Sequence, residues 1–282
     1  MNFFDLIQQL AEQTPRDLAW FRPELAICAT IVVILLLRMF PLTRRIPSLS
    51  VALAGAVTAL ALAGADLAAA SDRVELFTGL LVFDAFTALL RVALLLFVVL
   101  FCVLTWLSGI PDFDAATDFF PLVLGATLGM CLMVSANHML IVFLGVEMAS
   151  VPSYALAGAL KGRRKSSEAA LKYAVYGAGA AGVMLYGISL LSGVVGSAHL
   201  PTMATRLAHL FSQPEAADKY MVLALGAMMV MVGLAFKLSA VPFHFWCPDV
   251  FEGASAEVDA FLSVASKAAA LALLVRVALG LA

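Results

Sequence analysis

The sequence predicts an all-α protein, a polytopic bundle of about eight transmembrane helices. Of its 282 residues, 63% are hydrophobic and 13% are charged, whereas an average soluble domain has about 25% charged residues. Its mean hydropathy is +1.02, and the apolar residues form repeated runs of about 20 residues, the length that crosses a bilayer core. No strand-like alternation persists, and backbone in lipid must bond within its own segment, which favours helices.

Each predicted span contains one apolar run, and the approximate limits are 23–40, 50–70, 83–110, 118–136, 138–160, 168–194, 219–246 and 256–281. The N-terminal segment lacks a basic stretch followed by an apolar core, so we expect a mature N-terminus rather than a signal peptide. The longest polar interruption, HLPTMATRLAHLFSQPEAADKY, contains a short amphipathic piece with Met203, Leu207 and Leu210 at helical spacing. Such a helix is typical of the membrane surface.

Charge and cysteine usage argue against two classes of protein. The formal net charge of -2 gives no indication of nucleic-acid binding. The four cysteines lie far apart, without a CxxC motif or a Cys/His ligand spacing, so we expect neither a disulfide framework nor a metal site.

The basic loops predict the orientation. Positive residues follow span 1 and span 5, two loops on the same side, and they are Arg38, Arg44, Arg45, Lys161, Arg163, Arg164 and Lys165. Because basic loops stay cytoplasmic, we expect that side inside and the N-terminus outside.

Three charged residues lie within apolar runs: Glu147 in span 5, Lys237 in span 7 and Lys267 in span 8. Each such charge at a helix centre costs roughly 2.5–3.5 kcal/mol on insertion scales, and the usual reason for one is an ion path or proton relay. The alternative is a structural ion pair in which Glu147 neutralises Lys237. That alternative leaves Lys267 without an acid.

Hydroxyl groups accompany these charges at helical spacing, namely Ser150 and Tyr154 after Glu147, and Ser263 and Ser266 before Lys267. Such groups can hold water, although serines also pack helix interfaces in membranes. Lys172 follows Glu168 by four residues at the start of span 6. It either forms an ordinary helical ion pair or takes part in a relay.

Two other features of the spans favour packing. The GAGAAG stretch, with Gly177, Gly179 and Gly182, predicts close approach of a neighbouring helix. Arg91 in span 3 either packs between helices or extends its charge toward the membrane surface.

Span 7 is predicted to be broken. Pro242 lacks a backbone N–H and clashes with the carbonyl of Leu238, which leaves a free carbonyl beside Lys237. Broken helices next to a charge are how transporters build ion sites. Histidine is the residue type that gains and loses a proton near neutral pH, and His244, just past the break, either joins the relay or is simply hydrogen-bonded.

These stretches resemble a known family. AFKLSAVPFHFWCPDVFEGA, AFLSVASKAAALALLVRV and FLGVEMASVPSYALAGALKGRRKSSEAALKYAVYGA are similar to the antiporter-like membrane subunits of respiratory complex I, the proton-pumping NADH:quinone oxidoreductase. PDVFEG is similar to the N-type subunit in particular. The resemblance covers residues 83–282 well and the first two helices loosely.

The resemblance implies a proton relay through Glu147, Lys237, Lys267 and Lys172. His244 is a further relay candidate from its position at the break alone. It implies a translocase subunit with no cofactor or metal of its own, while NADH, flavin, iron–sulfur clusters and quinone reside in partner subunits. Other membrane subunits of complex I are the expected partners, and the bacterial cytoplasmic (inner) membrane is the expected location.

The sequence departs from the family pattern in two ways. GASAEVDAF replaces the usual GAPTPV and introduces Glu257 and Asp259, which either alter proton entry or lie harmlessly in solvent. We expect residues 1–117 to hold helices 1–3 and residues 118–282 to hold the first five-helix antiporter-like repeat. The second, inverted repeat is absent, so the sequence is a fragment, the product of a split gene, or a short subunit that pairs with another chain.

Two other functions stay open on this evidence. One is a subunit of a multisubunit cation/proton antiporter without electron transfer, and the other is a structural scaffold that moves no ions.

Overall fold

A computed structural model describes residues 3–40, 46–70, 73–109, 113–160, 162–212 and 217–281 of the chain. Arg44, Arg45 and Lys161, on which the predicted orientation partly rests, lie outside the described residues.

The N-terminal bundle consists of four helices and one β-hairpin: α1 (Phe3–Trp20), α2 (Arg22–Met39), α3 (Ser48–Ala69), β1 (Val74–Leu76), β2 (Leu81–Phe83) and α4 (Ala85–Ser108). The axes of α1 and α2 differ by 81°. The hairpin was not predicted, because its two strands have only three residues each, too few to show an alternation. Its turn contains two non-glycine residues with positive φ, Phe77 and Thr78.

The rest of the chain forms α5 (Phe113–Ser135), α6 (Met139–Ala157), α7 (Arg164–Val195), α8 (Leu200–Phe211), α9 (Ala217–Leu238), α10 (Trp246–Gly253), α11 (Ala256–Phe261), a π-helical segment (Leu262–Ser266) and α12 (Lys267–Leu281). Helix α5 packs against α2, α3, α4, α6 and α12, and joins the N-terminal bundle to the other helices. The short helix α8 has Met203 and Leu210 buried, in agreement with the predicted amphipathic piece.

Within the described residues, seven helices are long and apolar enough to cross a membrane. The bent pair Ala11–Trp20 and Arg22–Met39 makes eight if it counts as one span. Every predicted span corresponds to a helix or to a broken helix, so the prediction of a polytopic helical bundle is confirmed.

The predicted break in span 7 is present. Helix α9 ends at Leu238, and Ser239 adopts a positive φ of 57°. The backbone is not helical again until Trp246, where α10 begins. Two hydrogen bonds close the end of α9, from Ser239 N to Phe236 O (3.0 Å) and from Ala240 N to Ala235 O (2.8 Å). The break therefore begins at Leu238, the residue whose carbonyl Pro242 is predicted to clash with.

The glycines of α7 divide into two groups. A Cβ at Gly177 would lie 2.0 Å from the Tyr154 hydroxyl, so this glycine allows the predicted close approach of α6. A Cβ at Gly179 or Gly182 would meet no described atom within 4 Å. At about 100° per residue these two glycines lie on a different face of the helix, so the prediction of close packing is wrong for them.

Candidate functional site

Lys237 lies at the end of α9, and its side chain is 1% exposed. Its Nζ donates a hydrogen bond of 2.9 Å to Ser150 Oγ on the neighbouring helix α6. The Ser150 hydroxyl in turn donates to Val146 O at 2.6 Å. The ammonium group of Lys237 is thus held by a neutral hydroxyl.

Glu147 is half-buried on α6, one turn before Ser150. Its carboxylate and the Lys237 ammonium interact electrostatically. Within the described part of the chain they form no direct ion pair, and Lys237 bonds to Ser150 instead. The structural alternative, in which Glu147 clamps Lys237 in a salt bridge, is not what this geometry shows.

Lys267 begins α12, directly after the π-helical segment. Its Nζ donates to the backbone carbonyl of Lys237 at 3.2 Å and to the hydroxyl of Ser239. The backbone carbonyl that Lys267 binds at the break is that of Lys237. The Lys267 ammonium thus binds the backbone of Lys237 at the break, while the Lys237 ammonium binds Ser150 on α6.

The hydroxyls predicted to accompany Lys267 are not its partners. Ser263 Oγ donates to Ala260 O within its own helix (3.2 Å), and Ser266 is buried. A π-helical turn holds more residues than an α-helical turn, which changes the direction of the side chains that follow it. The serine that binds Lys267 is Ser239, in the break.

Aromatic rings hold the break in place. Trp246 stacks on Tyr173 with ring centroids 4.2 Å apart and planes 7° apart. The indole N–H of Trp246 donates to Phe236 O at 3.2 Å. The Lys267 ammonium lies 4.8 Å from the centre of a Trp246 ring, a distance at which a cation is attracted to the π-face. Trp246 thus fixes both the end of α9 and the position of Lys267.

Lys172 forms the predicted ion pair with Glu168, at 2.8 Å, and a second ion pair with Asp249 of α10, at 3.0 Å. Lys165 of α7 also contacts Glu252 of α10. These pairs attach α10 to the first turns of α7. A relay role of Lys172 remains a prediction.

The remaining sequence candidates lie near the break and α11. His244 stacks on Phe245 with centroids 4.9 Å apart, and its Nδ1 is buried without a partner among the described residues. Glu257 is 8% exposed, so the expectation that it lies harmlessly in solvent is wrong. Asp259 has one buried oxygen, Oδ1, without a described partner. The roles of these three residues stay predictions.

Two buried arginines, Arg276 and Arg91, each contact a carboxylate. Arg276 of α12 makes two hydrogen bonds to Asp84, at 2.6 and 2.8 Å, and one to Thr87 Oγ1 at 2.7 Å. Arg91 is 1% exposed and its Nε lies 2.7 Å from Glu24 Oε1. Arg91 therefore packs between helices and does not extend to the surface. The ion pair of Arg276 was missed, although an arginine within span 8 is itself a signal of a buried partner.

A protein-family model described as "NADH:quinone oxidoreductase/Mrp antiporter, TM" matches residues 136–281. The chain is 38% identical over 272 residues to NADH-quinone oxidoreductase subunit N of Anaeromyxobacter sp. (strain Fw109-5), covering 95% of this chain and 52% of that protein. It is 39% identical over 267 residues to NADH-quinone oxidoreductase subunit N 2 of Sorangium cellulosum, covering 92% and 52%. The chain thus spans about half the length of these curated relatives.

Solved structures give the same picture. A chain of respiratory complex I from Thermus thermophilus with bound aureothin matches with a TM-score of 0.72 and 30% identity, covering 90% of this chain and 52% of that one. A chain of the Mrp complex from Dietzia sp. matches with a TM-score of 0.73 and 22% identity, covering 92% and 48%. The second match shows a common fold alone.

Proposed function

Because the chain belongs to the NADH:quinone oxidoreductase/Mrp antiporter transmembrane family, we propose that it acts as an N-type, proton-translocating membrane subunit of an NADH:quinone oxidoreductase. The relatives named subunit N, at 38% and 39% identity, support the N type. Electron transfer takes place in other subunits of this translocase, which bind NADH, flavin, iron–sulfur clusters and quinone. This chain contributes the proton path.

The contact of the Lys267 ammonium with the backbone of Lys237 at the break is the observation that carries the proposal. Their ammonium groups are bound to hydroxyl and carbonyl oxygens and not to a carboxylate. A lysine in such surroundings can release its proton, because burial disfavours its charged form. The Ser150 hydroxyl suits both states, since it accepts a hydrogen bond from the ammonium and, by turning away from Val146 O, can donate one to the neutral amine.

The charges of Lys237, Glu147 and Lys267 influence one another. Lys237 interacts favourably with Glu147 and unfavourably with Lys267. Proton movement through this pair depends on which of the three groups is charged.

Lys172 and His244 have lesser parts in the proposed relay. Lys172 is 35% exposed and paired with two acids, which suits a group that exchanges protons slowly at the edge of the site. His244 lies in the break with one ring nitrogen unbonded among the described residues, which leaves it able to take up or deliver a proton.

We also propose the setting of the chain. Its partners are other membrane subunits of complex I and the lipid bilayer. Residues 1–117 and 118–282 act as the N-terminal segment and the first antiporter-like repeat. The location is the bacterial cytoplasmic membrane, with the N-terminus outside, as the basic loops indicate.

Copurification tests this proposal. The chain is tagged in its own membrane, extracted gently, and its companions are identified by mass spectrometry. We expect subunits of an NADH:quinone oxidoreductase. Recovery with cation/proton antiporter subunits, together with sodium-dependent transport that needs no NADH or quinone, would replace the proposal with the antiporter alternative.

A further inference from the structure

Three connections between helices meet at one end of the bundle, and Asn137 lies at the centre of this junction. Asn137 follows α5 and precedes α6, and it is 1% exposed. Its backbone N–H donates to Leu80 O in the turn of the β-hairpin at 3.1 Å, and its backbone carbonyl accepts from Leu200 N at the start of α8 at 3.0 Å. The hairpin, the α5–α6 connection and α8 are therefore joined through one residue.

The neighbours of the Asn137 side chain fix the orientation of its amide. Oδ1 accepts a hydrogen bond from Arg73 Nη2 at 3.1 Å. Nδ2 faces Glu75 Oε1 and Gly79 O, both at 3.2 Å, and His199 Nε2 at 3.0 Å. A reversed amide would place its oxygen against a carboxylate and a carbonyl, which only accept hydrogen bonds. The amide nitrogen therefore has two hydrogens to share among three neighbours.

These contacts define the protonation of the His199 ring. An amide NH₂ group donates hydrogen bonds, so the 3.0 Å contact with Asn137 Nδ2 requires that Nε2 carries no proton. The ring proton is then on Nδ1, which donates to Thr202 Oγ1 at 2.8 Å. Glu75 Oε1 lies 3.4 Å from Nε2, and the His199 side chain is 25% exposed. The ring is thus neutral, within reach of solvent, and has a carboxylate beside the nitrogen that can take up a proton.

We propose that His199 is a pH switch, in which uptake of a proton on Nε2 moves its hydrogen bond from Asn137 to Glu75. A protonated Nε2 is a donor, so it repels the hydrogens of the Asn137 amide and is attracted to the Glu75 carboxylate. The neutral ring therefore ties α8 to the α5–α6 connection, whereas the charged ring ties α8 to the hairpin. Asn137 keeps its contact with Gly79 O in both states.

The other groups around His199 leave Glu75 as the acceptor for the charged ring. Among the described residues, the contacts place four charged or titratable groups around His199: Arg73, Glu75, His138 and Arg206. Arg73 is bound to the amide oxygen at the centre of the junction, and the His138 ring caps the start of α6. Arg206 donates to two backbone carbonyls at the end of α7. Helix α12 meets the start of α8 at Gly280, which has no charge.

The place of the junction gives the switch a use. Its three connections follow predicted spans 2, 4 and 6, so they lie on the side of the membrane opposite to the basic loops. On the proposed orientation this side is outside, where proton pumping lowers the pH. The α5–α6 connection leads into α6, the helix with Glu147 and Ser150. This use rests on the proposed function, whereas the switch itself rests on the contacts of His199 alone.

Nitrogen-15 NMR of the histidine rings, in the full-length chain in lipid nanodiscs, tests the proposal. At about pH 8 we expect the single ring proton of His199 on Nδ1, and at about pH 5 a proton on each nitrogen, because histidine changes its charge within this range. The loss of signals in His199→Gln assigns the ring. A proton on Nε2 at the higher pH, or a ring that stays neutral at the lower pH, would overturn the proposal.

Hydrogen–deuterium exchange of the same sample measures the effect on the junction. After correction for the intrinsic rate, we expect the Leu200 amide, which donates to Asn137 O, to exchange several-fold faster at the lower pH. His199→Gln should abolish this difference, and His209→Gln, an exposed position on the same helix, should preserve it.

A pH dependence that survives in His199→Gln, or that is missing from the unaltered chain, would contradict the switch. If His199→Gln does not fold, variants of the other three histidines assign the ring signals by elimination. Glu75→Gln then replaces it in the exchange experiment. Because that change removes the carboxylate beside the charged ring, the difference should appear only at a lower pH. Neither measurement needs NADH or quinone, so both test the switch separately from the proposed function.

Discussion

Two regions of the molecule bury charge in opposite ways. In the N-terminal bundle and at its contact with α12, the buried cations are arginines, and each meets a carboxylate: Arg91 with Glu24, and Arg276 with Asp84. At the break, the cations are lysines, Lys237 buried and Lys267 partly buried, and they bind hydroxyl and carbonyl oxygens. Arginine stays protonated in proteins, whereas a buried lysine readily changes its protonation state. The first region is built to keep its charges, and the second to let them change.

The two regions should also contribute differently to the stability of the fold. Removing one member of a buried ion pair leaves the other charge uncompensated. When a lysine is bound only to neutral oxygens, loss of its charge leaves no uncompensated charge on its partners. The arginine sites should therefore matter most for folding, and the lysine sites most for proton movement.

The largest effect is expected from Arg276→Ala. This change removes two hydrogen bonds to Asp84 and one to Thr87. We expect a loss of about 3–5 kcal/mol in the free energy of unfolding, the usual result of breaking a buried pair. Unfolding of the purified chain in mixed micelles measures it. Arg38→Ala removes an exposed contact to Asp118 and should cost only about 0–1 kcal/mol; equal losses would mean that the ion pair of Arg276 is not structural.

The next effect tests whether Lys237 must change its charge. Lys237→Arg keeps a cation at the end of α9 but prevents loss of its proton. We expect the complex to assemble and its proton pumping to fall at least about tenfold, equivalent to about 1.4 kcal/mol in the barrier. Pumping is measured with inverted membrane vesicles driven by NADH.

Lys219→Arg provides the control, because Lys219 is exposed near the start of the same helix. It should pump normally. If Lys237→Arg also pumps normally, a fixed charge is sufficient at the break and the distinction between the two regions fails.

The sequence predicted the lysine region better than the arginine region. Apolar runs make an embedded charge or proline conspicuous, so Lys237, Lys267 and the break near Pro242 could be found by inspection. The residues that bind these charges could not be found in that way. Ser239 meets Lys267 across 28 positions of sequence, and Asp84 meets Arg276 across 192. Such contacts depend on how helices pack, and a single sequence carries little information about that.

Local irregularities were also beyond prediction. The π-helical segment before Lys267 has an ordinary apolar composition, so periodicity alone could not predict that it changes the direction of the lysine side chain. The three-residue strands of the hairpin were too short to produce a pattern. The fold class was predictable because lipid restricts the backbone to helices over long segments, whereas short segments keep more freedom.

Ser150→Ala sharpens the comparison further, because it removes the neutral partner and leaves the lysine. Lys237 loses one hydrogen bond of 2.9 Å, worth about 1 kcal/mol, so we expect pumping to fall about fivefold with assembly unchanged. Ser153→Ala is the matched control, since the Ser153 hydroxyl is equally buried on α6 but donates to Ala149 O of its own helix. Equal effects of the two changes would mean that the hydroxyl serves only the packing of α6.

The smallest effect is expected from Lys172→Met. This change asks whether the type of cation or the type of its partner decides whether the cation keeps its charge. Lys172 is a lysine, as at the break, but it is paired with the carboxylates of Glu168 and Asp249, as the arginines are paired. If the partner decides, Lys172 holds its charge, and its loss should reduce pumping less than Ser150→Ala does. Lys165→Met, which removes the exposed contact to Glu252, controls for a weaker attachment of α10 to α7. A loss as large as that of Lys237→Arg would mean that acid partners do not prevent a lysine from relaying protons, and that the relay extends to the start of α7.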